Sequence, residues 1–443
     1  MKSQKENTTQ KERSQRRHSF LQQIKGGVAV LFAAPHSIRN NDVHHAYRQD
    51  SSFYYLTGLS EPESICLFNP QSKKPFTLFV EPKDKMKELW EGRMLGLEGA
   101  KAQLGADEAL SSKDTAVFDE AFVEALLEAD RVYYRVGQNT AQDQRVFSLM
   151  SKAAKRLGRT GRPLWPILDP ADVLGEMRLI KSQHEIAALQ IAANITAHAH
   201  TEAMRHCKPG MYEYEVEAAL FHSFRAAGAG RLGYGSIVAS GPNACVLHYV
   251  NNDRKMTDKD LLLIDAGAEF DYYTADITRC FPVGNRFSPE QREVYQSVLL
   301  AQKECVAMAR PGKTLREIHL HAVEVLTEEL KRLKVLKGTT KELIKSEAYR
   351  PYYPHGTGHW LGMDVHDIGR YYDKDYQDSR KLKAGMVFTV EPGLYFSLDS
   401  KAPTKLKGIG VRIEDDILIT DKGHVILTAL VPKEIEEIES LRS

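Results

Sequence analysis

Short apolar runs alternate with amphipathic stretches from about Gly26 to Pro170. VAVLFAA (28–34) and PFTLFVEP (75–82) read as buried strands, because nearly every position in them is apolar. FDEAFVEALLEAD (118–130) reads as a helix and RVYYRVG (131–137) as the strand after it. Strands interleaved with helices predict an α/β layer domain. Pro163, Pro166 and Pro170 then interrupt the pattern, which places a domain boundary just beyond them, between residues 1–177 and 178–443.

A new helix is expected from Ser182. Ser182 and Glu185 fit a capping box, and Ile186, Leu189, Ala193 and Ile195 recur at helical spacing. The second half also echoes itself. Lys208-Pro209-Gly210-Met211-Tyr212-Glu213-Tyr214-Glu215-Val216 resembles Arg310-Pro311-Gly312-Lys313-Thr314-Leu315-Arg316-Glu317-Ile318, and each segment leads into a helical stretch.

Composition narrows the partners. The 443 residues suffice for two or three domains, and 42% of them are hydrophobic. With 60 basic and 59 acidic side chains the net charge is +1, so no global field favours nucleic acid. No stretch approaches the roughly 18–20 apolar residues that would cross a membrane. The basic amino terminus MKSQKENTTQKERSQRRHSF has no apolar run behind it, unlike a secretory signal, and Glu6 and Glu12 count against a mitochondrial transit peptide. Five scattered cysteines without a CxxC spacing suit free thiols in a reducing cytoplasm and argue against a zinc-thiolate site.

Candidate chemistry is densest in LLLIDAGAEFDYYTADITRCFPV (261–283). It reads as two strands joined by a turn. A turn centred on Phe270-Asp271 sets Asp265 directly opposite Asp276, where Cβ atoms lie about 4.5–5.5 Å apart. Two like charges at that distance need a shared proton or a cation, unless both aspartates are simply solvated. Glu391 ends the apolar run of MVFTVEPG (386–393), and Glu414 lies in GVRIEDDILIT (410–420). Arg412, Glu414 and Asp416 are expected on one strand face. Taken singly, each acid fits an ion-paired strand residue; four of them converging in a core would require cations.

HGTGHWLGMDVHD (355–367) holds His355, His359 and His366 among glycines that permit close backbone approach. His248 lies in the apolar run CVLHYV (245–250), whereas His198, His200, His206, His319 and His321 fall in helical stretches and read as surface or packing residues. Carboxylates with one imidazole and no thiolate suit manganese, cobalt, iron or zinc, and the oxygen-rich set favours manganese. Two such ions about 3.5–4 Å apart can clamp one hydroxide.

In their order along the chain, Asp265, Asp276, His359, Glu391 and Glu414 resemble the five metal ligands of the pita-bread metallopeptidases, which include methionine aminopeptidase, prolidase and aminopeptidase P. IDAGAEFDYYTADITRCFPV, HGTGHWLGMDVHDIG, TVEPGLY and GIGVRIEDDILIT look like motifs of the aminopeptidase P subfamily, as do AYRQDSSFYYLTG (46–58) and WEGRMLG (90–96). The likeness runs from about residue 12 to 435. It implies an α/β amino-terminal domain of the aminopeptidase P type followed by an α+β pita-bread catalytic domain. By resemblance, Asp265 chelates one of two divalent metals, with manganese the favoured ion; Asp276 and Glu414 bridge both, and His359 and Glu391 complete the other. His248, His355 and His366 would line the substrate cleft with Arg412 supporting the ligands. Tyr234 and Tyr395 match positions near the metals, and Asp42 and Trp90 match residues near the cleft mouth. Asp367 is not a ligand in the family. Gly235 departs from the pattern, since a bulkier polar residue is familiar there.

The activity implied is hydrolysis of the bond between an amino-terminal residue and a following proline, by attack of a metal-bridged hydroxide. His366 would stabilise the oxyanion, Glu391 would pass the proton to the leaving nitrogen, and His248 and His355 would wall the proline ring. The resemblance also implies a homodimer or homotetramer. A prolidase acting on Xaa-Pro dipeptides is the nearest alternative, and a non-catalytic binding protein on the same fold is the remote one; the additional domain disfavours methionine aminopeptidase.

Overall fold

Residues 2–373 and 375–442 are described by the computed structural model. The chain divides into two units, one ending at Met177 and the other beginning at Arg178.

In the first unit a six-stranded sheet runs in the order Glu108–Ser111, Phe76–Val80, Ile65–Phe68, Gly27–Phe32, Arg131–Tyr133, Ile167–Leu168. Gly27–Phe32 is antiparallel to Ile65–Phe68 and parallel to Arg131–Tyr133, so the sheet is mixed. The unbroken apolar runs are explained by burial on both faces: Val28, Val30, Phe79 and Val132 are all within 1% of full burial. They pack with Phe118, Phe122 and Leu126 of the helix Thr115–Glu128 and with Val146 of Thr140–Leu157. That first helix begins three residues earlier than the apolar pattern predicts, because the Asp114 side chain caps it by accepting from Ala116 N at 3.1 Å. The strand expected over 131–137 ends at Tyr133.

The second unit is built from antiparallel sheets and long helices. One sheet orders Ile237–Ser240, Leu261–Ala266 and Ile277–Pro282; another orders Val387–Val390, Asp415–Ile419 and His424–Ile426. Gly393–Phe396 pairs with Ile409–Arg412. The helices Gln183–His206, Glu213–Ala226, Pro289–Met308 and Leu315–Arg332 contribute to the shared core. Ser182 caps the first of them, with both capping-box bonds to Glu185 present. The two echoing segments adopt the same local structure. Gly210 (φ +91°) donates to Met256 O and Gly312 (φ +87°) to Leu382 O, each at 2.9 Å. Tyr212 and Thr314 then form antiparallel bridges with Lys255 and Lys381.

The carboxylate hairpin turns one residue later than expected, so each cross-strand partner shifts by two residues. Asp265 pairs with Thr278, not with Asp276. Asp271 (φ +52°) and Tyr272 (φ +68°) form the turn, and Phe270 pairs with Tyr273. Positive φ at both central residues gives a two-residue loop whose twist matches the flanking strands. Asp tolerates that region, and the shift keeps Phe270 in the ladder rather than in the turn.

Candidate metal centre

Asp265 and Asp276 enter one cavity from the facing strands of this hairpin. Asp265 is the fifth residue of Leu261–Ala266, and Asp276 immediately precedes Ile277–Pro282. Glu414 lies in the break between Ile409–Arg412 and Asp415–Ile419, where its N–H donates to Thr278 O at 3.1 Å. His359 and Glu391 come from two strips that run side by side. Thr389 N donates to His359 O at 2.9 Å, and Glu391 N to Thr357 O at 2.8 Å. Gly358 makes this approach possible, since a Cβ there would lie 1.9 Å from Thr389 O.

The cavity measures about 490 Å³. Its lining includes Asp265, Asp276, His359, Glu391 and Glu414, with His248, His355, His366, Tyr234, Gly235 and Arg412 around them. Ile237, Leu247, Val250 and Val365 supply apolar wall. Tyr395 lies behind it and is 4% exposed. Asp42 and Trp90 belong to the first unit: Asp42 is exposed in the turn after Ile38–Asn40, and Trp90 is 82% exposed on the helix Lys85–Glu91. Neither is among the residues lining this cavity.

Asp276, His359 and Glu414 each offer a ligand atom within 4.8 Å of the others. His359 Nε2 lies 3.3 Å from Asp276 Oδ2 and 3.6 Å from Glu391 Oε1. Its Nδ1 is 3.1 Å from Trp360 O, which can only accept, so the Nδ1 proton faces that carbonyl. A carbonyl partner of this kind orients metal-binding histidines. Arg412 Nη2 donates to Asp265 Oδ2 at 2.6 Å, its Nε to Thr278 Oγ1 at 3.1 Å and its Nη1 to Tyr395 Oη at 3.1 Å. Thr278 in turn donates to Glu414 Oε2 at 2.6 Å.

Burial and mutual repulsion dominate the protonation of this cluster. Burial, reinforced by Asp276 and Glu391, pushes the Glu414 carboxyl well above the usual range. Burial likewise raises Glu391 to about 7, although His359 and Arg412 oppose it. Asp276 is raised by burial against the pull of its His359 hydrogen bond. Burial disfavours charge on His359, but Asp276 and Glu391 outweigh it and bring the imidazole to about 9. Tyr234 Oη contacts both Asp265 Oδ1, at 2.6 Å, and Asp276 Oδ1. A phenol has one hydrogen, so the second contact needs a proton on a carboxyl. A divalent cation removes the need for such protons, and the oxygen-rich donor set suits one.

Sequence reasoning passed over Thr278 and the buried partners of the histidine loop. Thr278 is fully buried and joins Arg412 to Glu414. The signal for it was present, because it lies two residues beyond Asp276 and so on the same side of an extended chain. Asp367 is engaged by two buried cations: Arg178 and Lys181 both donate to its carboxylate. His200, read as a packing residue, is fully buried with Nε2 3.1 Å from Ala266 O.

Comparison with known proteins assigns the family. Residues 187–421 match the profile of metallopeptidase family M24, and residues 14–133 match the aminopeptidase P amino-terminal domain. The chain belongs to metallopeptidase family M24. Within M24 it is similar to the Xaa-Pro aminopeptidase of Haemophilus influenzae, 44% identical over 95% of this chain and 94% of that one. The structure of Pseudomonas aeruginosa aminopeptidase PepP superposes with a TM-score of 0.93 at 43% identity, covering 98% and 97% of the two chains. Zinc-substituted Escherichia coli aminopeptidase P in complex with product gives 0.91 at 42%, covering 98% of each. The fold is therefore an α/β amino-terminal domain with an M24 pita-bread domain. The M24 assignment makes the protein a metal-dependent enzyme acting on peptides. Among the described residues no helix is long and apolar enough to cross a membrane.

Proposed function

We infer that the chain is an Xaa-Pro aminopeptidase, cleaving the bond between an amino-terminal residue and a following proline. The observation that carries the reading is the meeting of Asp265, Asp276, His359, Glu391 and Glu414 in one cavity beneath His248, His355 and His366. The substrate class follows the Xaa-Pro aminopeptidases that match over almost their whole length.

The five residues would hold two divalent ions, with manganese favoured by the oxygen-rich set. When bound, such ions supply a Lewis acid for the scissile carbonyl and acidify water towards neutrality. The remaining work falls to the chain. Glu391 lies 3.7 Å from His355 Nδ1 and 3.6 Å from His359 Nε2, and its role in this reading is that of a base that takes a proton and returns it to the leaving nitrogen. His366 stacks edge-on against His359 with centroids 4.3 Å apart and can offer an N–H to the developing oxyanion. His355 is held neutral, lowered to about 3 by burial and then by Arg412. Its Nδ1–H donates to Gly356 O at 2.7 Å, so its bare Nε2 accepts from Tyr395 Oη at 2.8 Å. A neutral, fixed imidazole suits a wall for the proline ring. A bond to proline has no N–H, so the site needs no acceptor for one. Asp42 and Trp90 remain candidates for the cleft mouth by family resemblance.

Hydrolysis of Xaa-Pro-Yaa, Xaa-Ala-Yaa and Xaa-Pro with manganese, each repeated with chelator, tests the reading. Cleavage of Xaa-Pro-Yaa alone, abolished by chelator, is expected. Preference for the dipeptide would make the enzyme a prolidase, and cleavage that survives chelation would end the metal mechanism. We further place the protein in the cytoplasm, supported by five free cysteines, and as a homodimer or homotetramer, which light scattering tests.

A further inference from the structure

A buried carboxylate outside the ligand set gathers donors from the chain segment that supplies one wall of the cavity. Glu213, the first residue of the helix Glu213–Ala226, is 0% exposed. Its Oε1 accepts from Ser240 N (2.7 Å), Ser240 Oγ (2.6 Å) and Asn243 Nδ2 (3.3 Å). Its Oε2 accepts from Tyr249 Oη (2.8 Å) and Arg254 N (2.9 Å). All five donors lie on the segment 240–254. Residues 246–254 of that segment form neither helix nor strand, yet Leu247, His248 and Val250 line the cavity. Tyr249 turns the other way, to Glu213. Two residues past Val250, Asn252 is also 0% exposed. Its Oδ1 accepts from Val238 N and its Nδ2 donates to Ser236 O, both at 2.9 Å, so the amide takes the place of a strand neighbour beside Ile237–Ser240.

The inward anchors at Tyr249 and Asn252 thus alternate along the chain with His248 and Val250, which line the cavity. Without a backbone ladder, the placement of His248 depends on these side-chain bonds, and bonds to a carboxylate are the stronger kind. We propose that Glu213, acting through Tyr249, and Asn252 are positioning residues that hold His248 and Val250 as a substrate-recognising wall. The proposal rests on the aminopeptidase reading for its kinetic consequence, and on the structure alone for the anchor.

Tyr249→Phe removes one hydroxyl and leaves the ring. The full-length variant is expected to raise KM for an Xaa-Pro-Yaa peptide about fivefold, with kcat within about twofold, as coupling within one hydrogen-bonded network allows. In a His248→Ala background the same change should raise KM by clearly less than in the wild type, because only Val250 is then left to lose its placement. Amide hydrogen exchange at 246–251 should speed about tenfold in Tyr249→Phe, as expected for loss of a charge-assisted bond, while Leu261–Ala266 is unchanged. An unchanged KM, or an equal rise in both backgrounds, would overturn the positioning role. Unchanged exchange would overturn the anchor whatever the activity. Failure of the wild-type enzyme to cleave the peptide would sink the aminopeptidase reading, and with it the kinetic role.

Discussion

Glu391 ties stability to pH in a way that separates the metal-free protein from the loaded one. In the chelated protein its carboxyl is raised from 4.5 to about 7, first by burial and against the attraction of His359 and Arg412. Because the folded value lies above the unfolded one, the stabilising contribution is complete below pH 4.5 and is lost as pH rises through about 7. That rise is worth about 3 kcal/mol at about 1.4 kcal/mol per pH unit. His359, raised to about 9, gives the same sign at higher pH, and Asp276 and Glu414 are also raised. The Glu391 share is therefore isolated by difference. Chelated wild type and chelated Glu391→Gln should be followed by thermal unfolding between pH 4.5 and 8. The wild-type Tm should fall relative to the variant by about 6–12 °C across that window, taking about 2–4 °C per kcal/mol for a domain of this size. Added manganese should reverse the trend in wild type, since ion binding requires ionised ligands and its stabilisation grows as protons leave. Parallel Tm curves for the two chelated proteins would refute the account of Glu391 as an acid whose charged form is disfavoured by burial.

Asp276→Asn should lower bound metal and activity together while far-ultraviolet circular dichroism is retained, with metal content read by plasma emission. Arg412→Met strips Asp265 of its guanidinium partner in a buried setting, and denaturant unfolding should show a loss of about 3–5 kcal/mol. Gly358→Ala forces the His359 strip away from Thr389, and kcat/KM should drop about 100-fold, the usual penalty for misplacing a reacting group by about 1 Å.

The fold was most legible where burial is continuous. The runs containing Val28 and Phe79 declared themselves as strands because both faces are covered. The capping box at Ser182 declared a helix start because its chemistry is local. The hairpin register was less legible. Its turn residues, Asp271 and Tyr272, include no glycine, and nothing in the alternation distinguishes this register from its neighbour. The Glu213 anchors were invisible for another reason. A buried carboxylate that gathers donors from 240, 243, 249 and 254 is a tertiary arrangement, and along the chain it reads as an ordinary helix-start acid.

The corrected register also changes what the electrostatic argument depends on. Asp265 and Asp276 are not cross-strand partners, so their repulsion is not the simple pairwise one first supposed. Placing Thr278 opposite Asp265 instead puts a neutral hydroxyl on Asp265's neighbour strand, where it accepts from Arg412 and donates to Glu414. Arg412 then balances Asp265, whereas Asp276, Glu391 and Glu414 are all pushed towards protonation by burial. The Arg412 guanidinium and the His359 imidazolium together cannot neutralise four acids. The demand for added positive charge thus follows from the number of buried carboxylates rather than from any one pairing, which is why it survives a shift in register and why removing Arg412 and removing metal should weaken the protein separately.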